Sequence, residues 1–170
     1  MNSLNAVRLL GRSTAPDRDL YLAHVNRLSD WPAELAEPKS HFVVFLAMDA
    51  KGAGADEIAG LARKLVAQGM VYLCAWGPDC ERVHDIFDEV RDEEESGEDA
   101  IVMTTWHADD DLDDALWDSL FNALPVDAFI DSCKAFVAVI VDHAEWADEV
   151  AAALSDVDQF NHRVLAREGT

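Results

Sequence analysis

The chain has 170 residues, half of them apolar, and a mean hydropathy of −0.06. This composition predicts one packed globular domain and excludes a disordered chain. It also excludes a membrane-spanning helix, because no apolar run approaches the roughly 18 residues that a bilayer requires. The net charge of −21 repels phosphate backbones and therefore disfavours nucleic-acid binding.

The cysteines and the start of the chain indicate a cytoplasmic protein. The first residues lack the apolar block and the small-residue cleavage site of a secretory signal. Cys74, Cys80 and Cys133 form neither a CxxC pair nor a Cys/His quartet, so reduced thiols are predicted and a structural zinc site is not. No membrane partner is predicted.

The negative charge is concentrated in one part of the chain. Residues 79–118 contain 17 acidic residues and only two basic ones, Arg82 and Arg91, which gives a net charge of −15. Residues 1–78 have equal numbers of acidic and basic residues and no net charge. Such a segment can attract a basic protein, or it can serve solubility alone. The sequence leaves both interpretations open.

The first 40 residues differ in pattern from the rest. They predict an irregular N-terminal extension with a helix from about Asp17 to Leu28, packed on a single domain formed by residues 41–170.

From residue 41, short apolar runs alternate with amphipathic helical windows. The runs predict four buried strands, and the windows predict a helix after each strand. The glutamate-rich stretch 91–99 has no apolar face and predicts a hydrated helix end and loop. The predicted strands are 41–48, 70–75, 100–105 and 135–141, and the third and fourth helices are predicted over 112–124 and from about His143.

This alternation predicts an α/β fold: a three-layer, Rossmann-like or flavodoxin-like domain with a mainly parallel sheet of about four strands and helices on both faces. The preferred order of the four strands is 2-1-3-4, with 3-2-1-4 as the alternative.

Ligands bind such sheets at the carboxyl ends of the strands, where the loops diverge and helices begin. Each loop predicted there brings at least one acid, and two bring a tryptophan. Neither phosphate-binding glycine spacing, GxGxxG or GxxxxGK[ST], follows the first strand, so the sequence identifies no cofactor. The predicted ligand-binding residues are Asp49, Lys51, Gly52, Trp76, Asp79, Trp106 and Asp142.

Three residues are predicted to be catalytic: Cys80, His84 and His107. Cys80 begins a helix, whose dipole can lower a thiol pKa, and His84 follows one turn later, so the two could form a nucleophile and a base. His107 precedes a run of aspartates that could serve acid–base chemistry or bind a metal. Asp111 with Asp114 is equally typical of a helix cap, and since no segment holds a complete ligand set, no metal is predicted.

The segment from Cys74 to His84 resembles the thioredoxin motif, with a strand, a tryptophan, a Gly-Pro turn and a cysteine that starts a helix. It departs from that motif at the chemistry. Trp76 is followed directly by Gly77, and Asp79 separates the proline from Cys80, so the dithiol is absent. Thioredoxin activity is therefore not predicted.

Two segments, Trp76–Asp88 and Thr104–His107, are similar to an uncharacterised bacterial family of domains of unknown function. The resemblance spans roughly residues 40–145. It implies no activity, substrate or catalytic residue.

The sequence is compatible with two functional hypotheses. The preferred one is a protein-binding or regulatory module whose acidic face engages a basic partner, because no catalytic motif is complete. The alternative is a small-molecule or nucleotide-type enzyme that uses the cleft at the carboxyl ends of the strands. The sequence does not determine the oligomeric state.

Overall fold

The computed structural model describes residues 7–94 and 100–168, which form a six-stranded sheet with helices on both faces. This confirms an α/β fold with a mainly parallel sheet, although the sheet is larger than the four strands predicted. The strands are β1 (Val7–Thr14), β2 (Asp17–Val25), β3 (His41–Ala47), β4 (Met70–Trp76), β5 (Met103–His107) and β6 (Cys133–Val141). The helices are α1 (Ala55–Gln68), α2 (Cys80–Glu94), α3 (Leu112–Phe121), α4 (Asp127–Ile130), α5 (Ala144–Ser155) and α6 (Val157–Glu168).

The strands lie in the order β1-β2-β6-β3-β4-β5, and every neighbouring pair is parallel except the β1–β2 hairpin. The four predicted strands correspond to β3, β4, β5 and β6, so their order is the alternative 3-2-1-4, and the preferred 2-1-3-4 is wrong. The reason lies in which face each helix covers. Helices α1 and α2 carry the chain outward along one face to β5, and α3 returns across the other face to place β6 beside β3.

The helix predicted from Asp17 to Leu28 is wrong, because that segment forms β2, and only Leu28–Asp30 turns as a short 3-10 helix. β2 lies between β1 and β6 and is buried on both faces. Leu20 and Leu22 pack against one helical layer, and Tyr21 and Ala23 pack against the other. A strand covered on both faces has an unbroken apolar run, which a helix can also show over so few residues.

Several predicted boundaries shift. β5 begins at Met103 and includes Trp106 and His107, which were predicted to form a turn. The fourth predicted helix is divided into α5 and α6 at Asp156, whose φ of −145° and ψ of 75° are not helical. Helix α2 continues to Glu94, and the remainder of the predicted hydrated loop, 95–99, lies outside the described residues.

The core consists of two apolar layers separated by the sheet. Alternate residues of β3 enter opposite layers, so that Phe42 packs under α1 and α2 while Val43 packs under α3, α5 and α6. Trp31 joins the first layer, where its Nε1 donates a hydrogen bond to Gln68 Oε1 at 2.8 Å. In the described part of the chain, no helix is long and apolar enough to cross a membrane.

Candidate functional site

The carboxyl ends of β3, β4, β5 and β6 lie along one edge of the sheet, here called the carboxyl edge, because these strands are parallel neighbours. The loops that leave this edge contain the predicted ligand-binding residues. The opposite edge, where these strands begin, is called the amino edge.

Backbone hydrogen bonds divide the carboxyl edge into two clefts instead of the single cleft predicted. The Met48 N–H donates to the carbonyl of Trp76 at 3.1 Å, and the Ala50 N–H donates to the carbonyl of Pro78 at 2.9 Å. These bonds join the loop after β3 to the loop after β4. The joined loops stand between a space near β6 and a space near β5.

The first space, the switch-point cleft, has a volume of about 380 Å³ and lies where β3 and β6 send their helices to opposite faces of the sheet. Open α/β sheets bind ligands at this kind of position. Its lining includes three carboxylates, from Asp49, Glu57 and Asp142, and one guanidinium, from Arg27. Gly52 also lines this cleft, whereas Lys51 is exposed and does not border it.

The two loop aspartates of this cleft have defined backbone roles. Asp49 Oδ1 accepts a hydrogen bond from the Lys51 N–H at 3.1 Å, which fixes the turn after β3. Asp142 has a φ of +50°, an uncommon conformation for a residue with a side chain, and its N–H donates to the carbonyl of Val25 at 2.8 Å. Backbone strain of this kind is concentrated at binding sites and active sites.

The second space, the β4–β5 cleft, has a volume of about 400 Å³ and opens between the ends of those two strands. Its lining includes Trp76, His107 and the carboxylates of Asp79, Glu81 and Asp110. No lysine or arginine lines it within the described ranges. Asp79, like Asp142, has a positive φ, at 63°.

A chain of aromatic contacts connects the two clefts. The Trp76 indole N–H donates to the carbonyl of Asp110 at 2.9 Å, and its ring meets the Trp146 ring edge-on with centroids 4.8 Å apart. Trp146 in turn stacks on His143 at 3.6 Å with an interplanar angle of 5°. One tryptophan therefore borders the β4–β5 cleft while its neighbour borders the switch-point cleft.

Sequence reasoning missed Trp146, Arg27 and Glu57 as lining residues. Trp146 contacts the core, and because it lies in the first turn of α5, just after the loop that follows β6, it also lines the cleft. Arg27 fell within the wrongly predicted helix. Because β2 reaches the site only through its pairing with β6, no local pattern could have revealed Arg27.

Cys80 borders the β4–β5 cleft, but its side chain is only 2% exposed and packs in the layer under α1 and α2. Burial raises the pKa of the Cys80 thiol, and this outweighs the hydrogen bonds with the backbone of His107 and of the helix start that lower it. The thiol is therefore mainly protonated at neutral pH and a weak nucleophile.

His84 of α2 and Trp106 of β5 form a pair that lines neither cleft. Their ring centroids are 4.4 Å apart, and His84 Nδ1 lies 3.0 Å from Asp85 Oδ1. The structure thus separates His84 from the β4–β5 cleft that Cys80 and His107 border.

His107 lies between two carboxylates. Its Nδ1 is 3.0 Å from Asp110 Oδ2, and its buried Nε2 has no hydrogen-bond partner among the described atoms, with Asp118 Oδ2 3.8 Å away. Within the described residues, no three His, Cys, Asp or Glu side chains come together as a metal-ligand group. The catalytic roles of Cys80, His84 and His107 stay predictions.

Comparison with known proteins gives a family for this chain. Residues 20–157 match the family described as a domain of unknown function, DUF7684. No curated protein and no solved structure matches the chain.

Proposed function

The chain belongs to the DUF7684 family, and with that as the premise we propose that it is a protein-binding module that receives cationic side chains of a basic partner at its carboxyl edge. The observation that carries this proposal is the charge of the two clefts. The switch-point cleft is lined by three carboxylates, from Asp49, Glu57 and Asp142, and by one guanidinium, from Arg27. The lining of the β4–β5 cleft, as far as the chain is described, has three carboxylates and neither lysine nor arginine.

Electrostatic reasoning supports a cationic occupant. Carboxylates around a concave surface with low-dielectric walls focus a negative potential, which draws lysine and arginine side chains and repels phosphates. The arginine that contacts these loops, Arg82, cancels only part of that charge. It donates to the carbonyls of Ala50 and Ala53, 2.9 and 2.5 Å away, and its Nη1 lies 3.7 Å from Asp79 Oδ2, so it offsets one of the carboxylates of the β4–β5 cleft.

The buried Cys80 thiol also favours binding over nucleophilic chemistry at this edge. A catalytic cysteine requires an accessible thiolate near neutral pH. Burial of Cys80 opposes both conditions, whereas a binding surface needs neither.

The test is binding of fluorescent oligolysine and oligoarginine peptides to the whole chain, at low and high salt. A triple variant, Asp49→Asn with Asp79→Asn and Asp142→Asn, removes three rim charges and keeps the backbone, because asparagine tolerates a positive φ and preserves the Asx oxygen. We expect roughly tenfold weaker binding by the variant at low salt and a smaller difference at high salt.

The matched control removes three exposed charges at the amino edge, with Asp127→Asn, Asp131→Asn and Asp158→Asn. It has the same net charge as the rim variant, so it separates a local site from the overall negative charge. Equal weakening by both variants, or no peptide binding by the wild-type chain, would overturn the proposal.

A small cationic molecule is the second candidate occupant, and the position of the switch-point cleft favours it. A volume of about 380 Å³ lies within the usual range of small-ligand sites, and the left-handed Asp142 borders it. A thermal-shift screen with amines, nucleotides and metal ions tests this candidate. A ligand at about 100 times its dissociation constant should stabilise the fold by about 2.7 kcal/mol, and a shift that Asp142→Asn abolishes would favour this occupant.

A further inference from the structure

We propose that Ser132 and His41 form a nucleophile–base pair at the amino edge of the sheet, and that this pair reacts with activated acyl and phosphonyl compounds. The site lies at the opposite end of the strands from both carboxyl-edge clefts. It is independent of the proposed binding function, and either can fail without the other.

The parallel pairing of β3 and β6 brings the two residues together. His41 is the first residue of β3 and pairs with Cys133, the first residue of β6. Ser132 immediately precedes Cys133 and therefore lies next to His41. His41 Nδ1 and Ser132 Oγ are 2.7 Å apart although the residues are 91 positions apart in the sequence. This distance is within the range of a nucleophile and its general base.

His41 Nδ1 is the nearer of two acceptors for the Ser132 hydroxyl proton when the imidazole is the tautomer with Nδ1 unprotonated. The other acceptor near the Ser132 hydroxyl, the carbonyl oxygen of Phe129, is 3.4 Å away and therefore makes a much weaker bond than His41 Nδ1. With the ring proton on Nε2, Nδ1 is free to accept the hydroxyl proton.

Packing restricts the ring on one side. The Phe129 ring meets His41 edge-on, with centroids 4.9 Å apart and planes inclined by 65°. A base that is held by packing keeps its distance to the nucleophile.

The pair opens into a third cleft, the amino-edge cleft, of about 390 Å³, which Lys39 and Ser40 also line. Lys39 Nζ donates to the carbonyl of Leu35 at 3.2 Å. An ammonium has three donors, so two remain for the negative oxygen that forms when a nucleophile adds to a carbonyl. The cleft therefore supplies space, a nucleophile, a base and a cation.

The chemical step balances with these groups alone. Ser132 Oγ attacks the carbonyl carbon of an activated ester while His41 Nδ1 takes the hydroxyl proton, and the C–O bond to the leaving group breaks. His41 then gives that proton to the departing alkoxide, which leaves an acyl ester on Ser132. Water adds to this ester with the same base and releases a carboxylic acid and free Ser132.

The experiment treats the whole chain with a fluorophosphonate, in which Oγ displaces fluoride from phosphorus, and measures adduct formation by intact mass and peptide mapping. We expect one adduct, on Ser132. Ser132→Ala should abolish labelling, and His41→Gln should slow it by about a hundredfold, since a general base contributes about that much or more.

Ser155→Ala is the control, because Ser155 is exposed on α5, does not line the amino-edge cleft, and donates its hydroxyl to the carbonyl of Ala151 at 2.7 Å. Its labelling rate should equal that of the wild-type chain, and thermal melting should show that all three variants are folded. The proposal is overturned if the wild-type chain is not labelled, if the adduct is on Ser40, or if a folded His41→Gln variant is labelled at the wild-type rate.

Discussion

The carbonyl oxygen of Met48 occupies the place where a side chain on residue 77 would begin: a Cβ built on Gly77 would lie 2.1 Å from it. Gly77 also has a φ of +113°, which L-residues with side chains rarely adopt. The close approach allows the loops after β3 and β4 to share their backbone bonds, and so it creates the division between the two carboxyl-edge clefts.

We therefore expect Gly77→Ala to lower the free energy of unfolding by about 2 kcal/mol or more, because both the backbone conformation and the contact with Met48 must change. Urea denaturation measures this change. Gly60→Ala is the control. Gly60 is inside α1 with open space around it, so alanine there should raise stability by about 0.5 to 1 kcal/mol. A Gly77→Ala variant as stable as the wild-type chain would contradict the described loop contact.

Arg18 leads to a second prediction. It is buried, its Nη2 donates to the carbonyl of Ala123 at 3.0 Å, and its Nε and Nη1 have no hydrogen-bond partner within the described residues. Burial lowers the pKa of Arg18, because a charged guanidinium is poorly solvated there. An incompletely paired buried charge is often less stable than an apolar side chain of similar length.

Arg18→Met should therefore leave the free energy of unfolding unchanged or raise it by up to about 2 kcal/mol. Arg18→Ala should lower it by about 2 kcal/mol, because the packing of the long stem is lost as well. Chemical denaturation of both variants provides the comparison. If the methionine variant were as unstable as the alanine variant, the bond to Ala123 would matter more than the cost of burying the charge.

Cys74 leads to a prediction about pH. Burial raises the pKa of the Cys74 thiol to about 11, above the value of about 8.5 of a thiol in an unfolded chain. Below about pH 8.5 the thiol is protonated in both the folded and the unfolded state, so the free energy of unfolding is not reduced by its ionisation. As the pH rises toward 11, the unfolded chain loses its thiol proton first, so the free energy of unfolding falls, by as much as about 3 kcal/mol.

The measurement is denaturant unfolding between about pH 8 and pH 11, for the wild-type chain and for Cys74→Ala. The free energy of unfolding should fall less for the variant than for the wild-type chain over this range, because the variant has no thiol at position 74 to ionise in the unfolded state. Parallel pH curves for the two proteins would mean that Cys74 keeps an ordinary pKa.

The acid at position 111 illustrates what local sequence can predict. Asp111 was expected to cap a helix, and its side chain accepts a hydrogen bond from the Asp114 N–H at 2.9 Å. Gly69 is a second local signal, because a glycine is favoured just after a helix and Gly69 ends α1 with a φ of +113°. Caps and glycine termini depend on a few consecutive residues, so the sequence predicts them directly.

The sites required more than local sequence. The predicted ligand-binding residues were assigned to one cleft, yet Asp49, Gly52 and Asp142 border one space while Trp76 and Asp79 border another. Lys51 and Trp106 line neither of them. Which loops join depends on strand order and on bonds such as that from Met48 to Trp76, and no short window of sequence contains either.

The amino-acid sequence by itself determined that this chain is an α/β protein with four parallel strands, since apolar runs and helical periodicity are local consequences of burial. Only the tertiary structure decided that β2 joins the sheet, that β6 lies beside β3, and that His41 meets Ser132. The physical reason is that strand pairing joins residues far apart in the chain. Several orders bury nearly the same apolar surface, and the packing of whole layers selects among them.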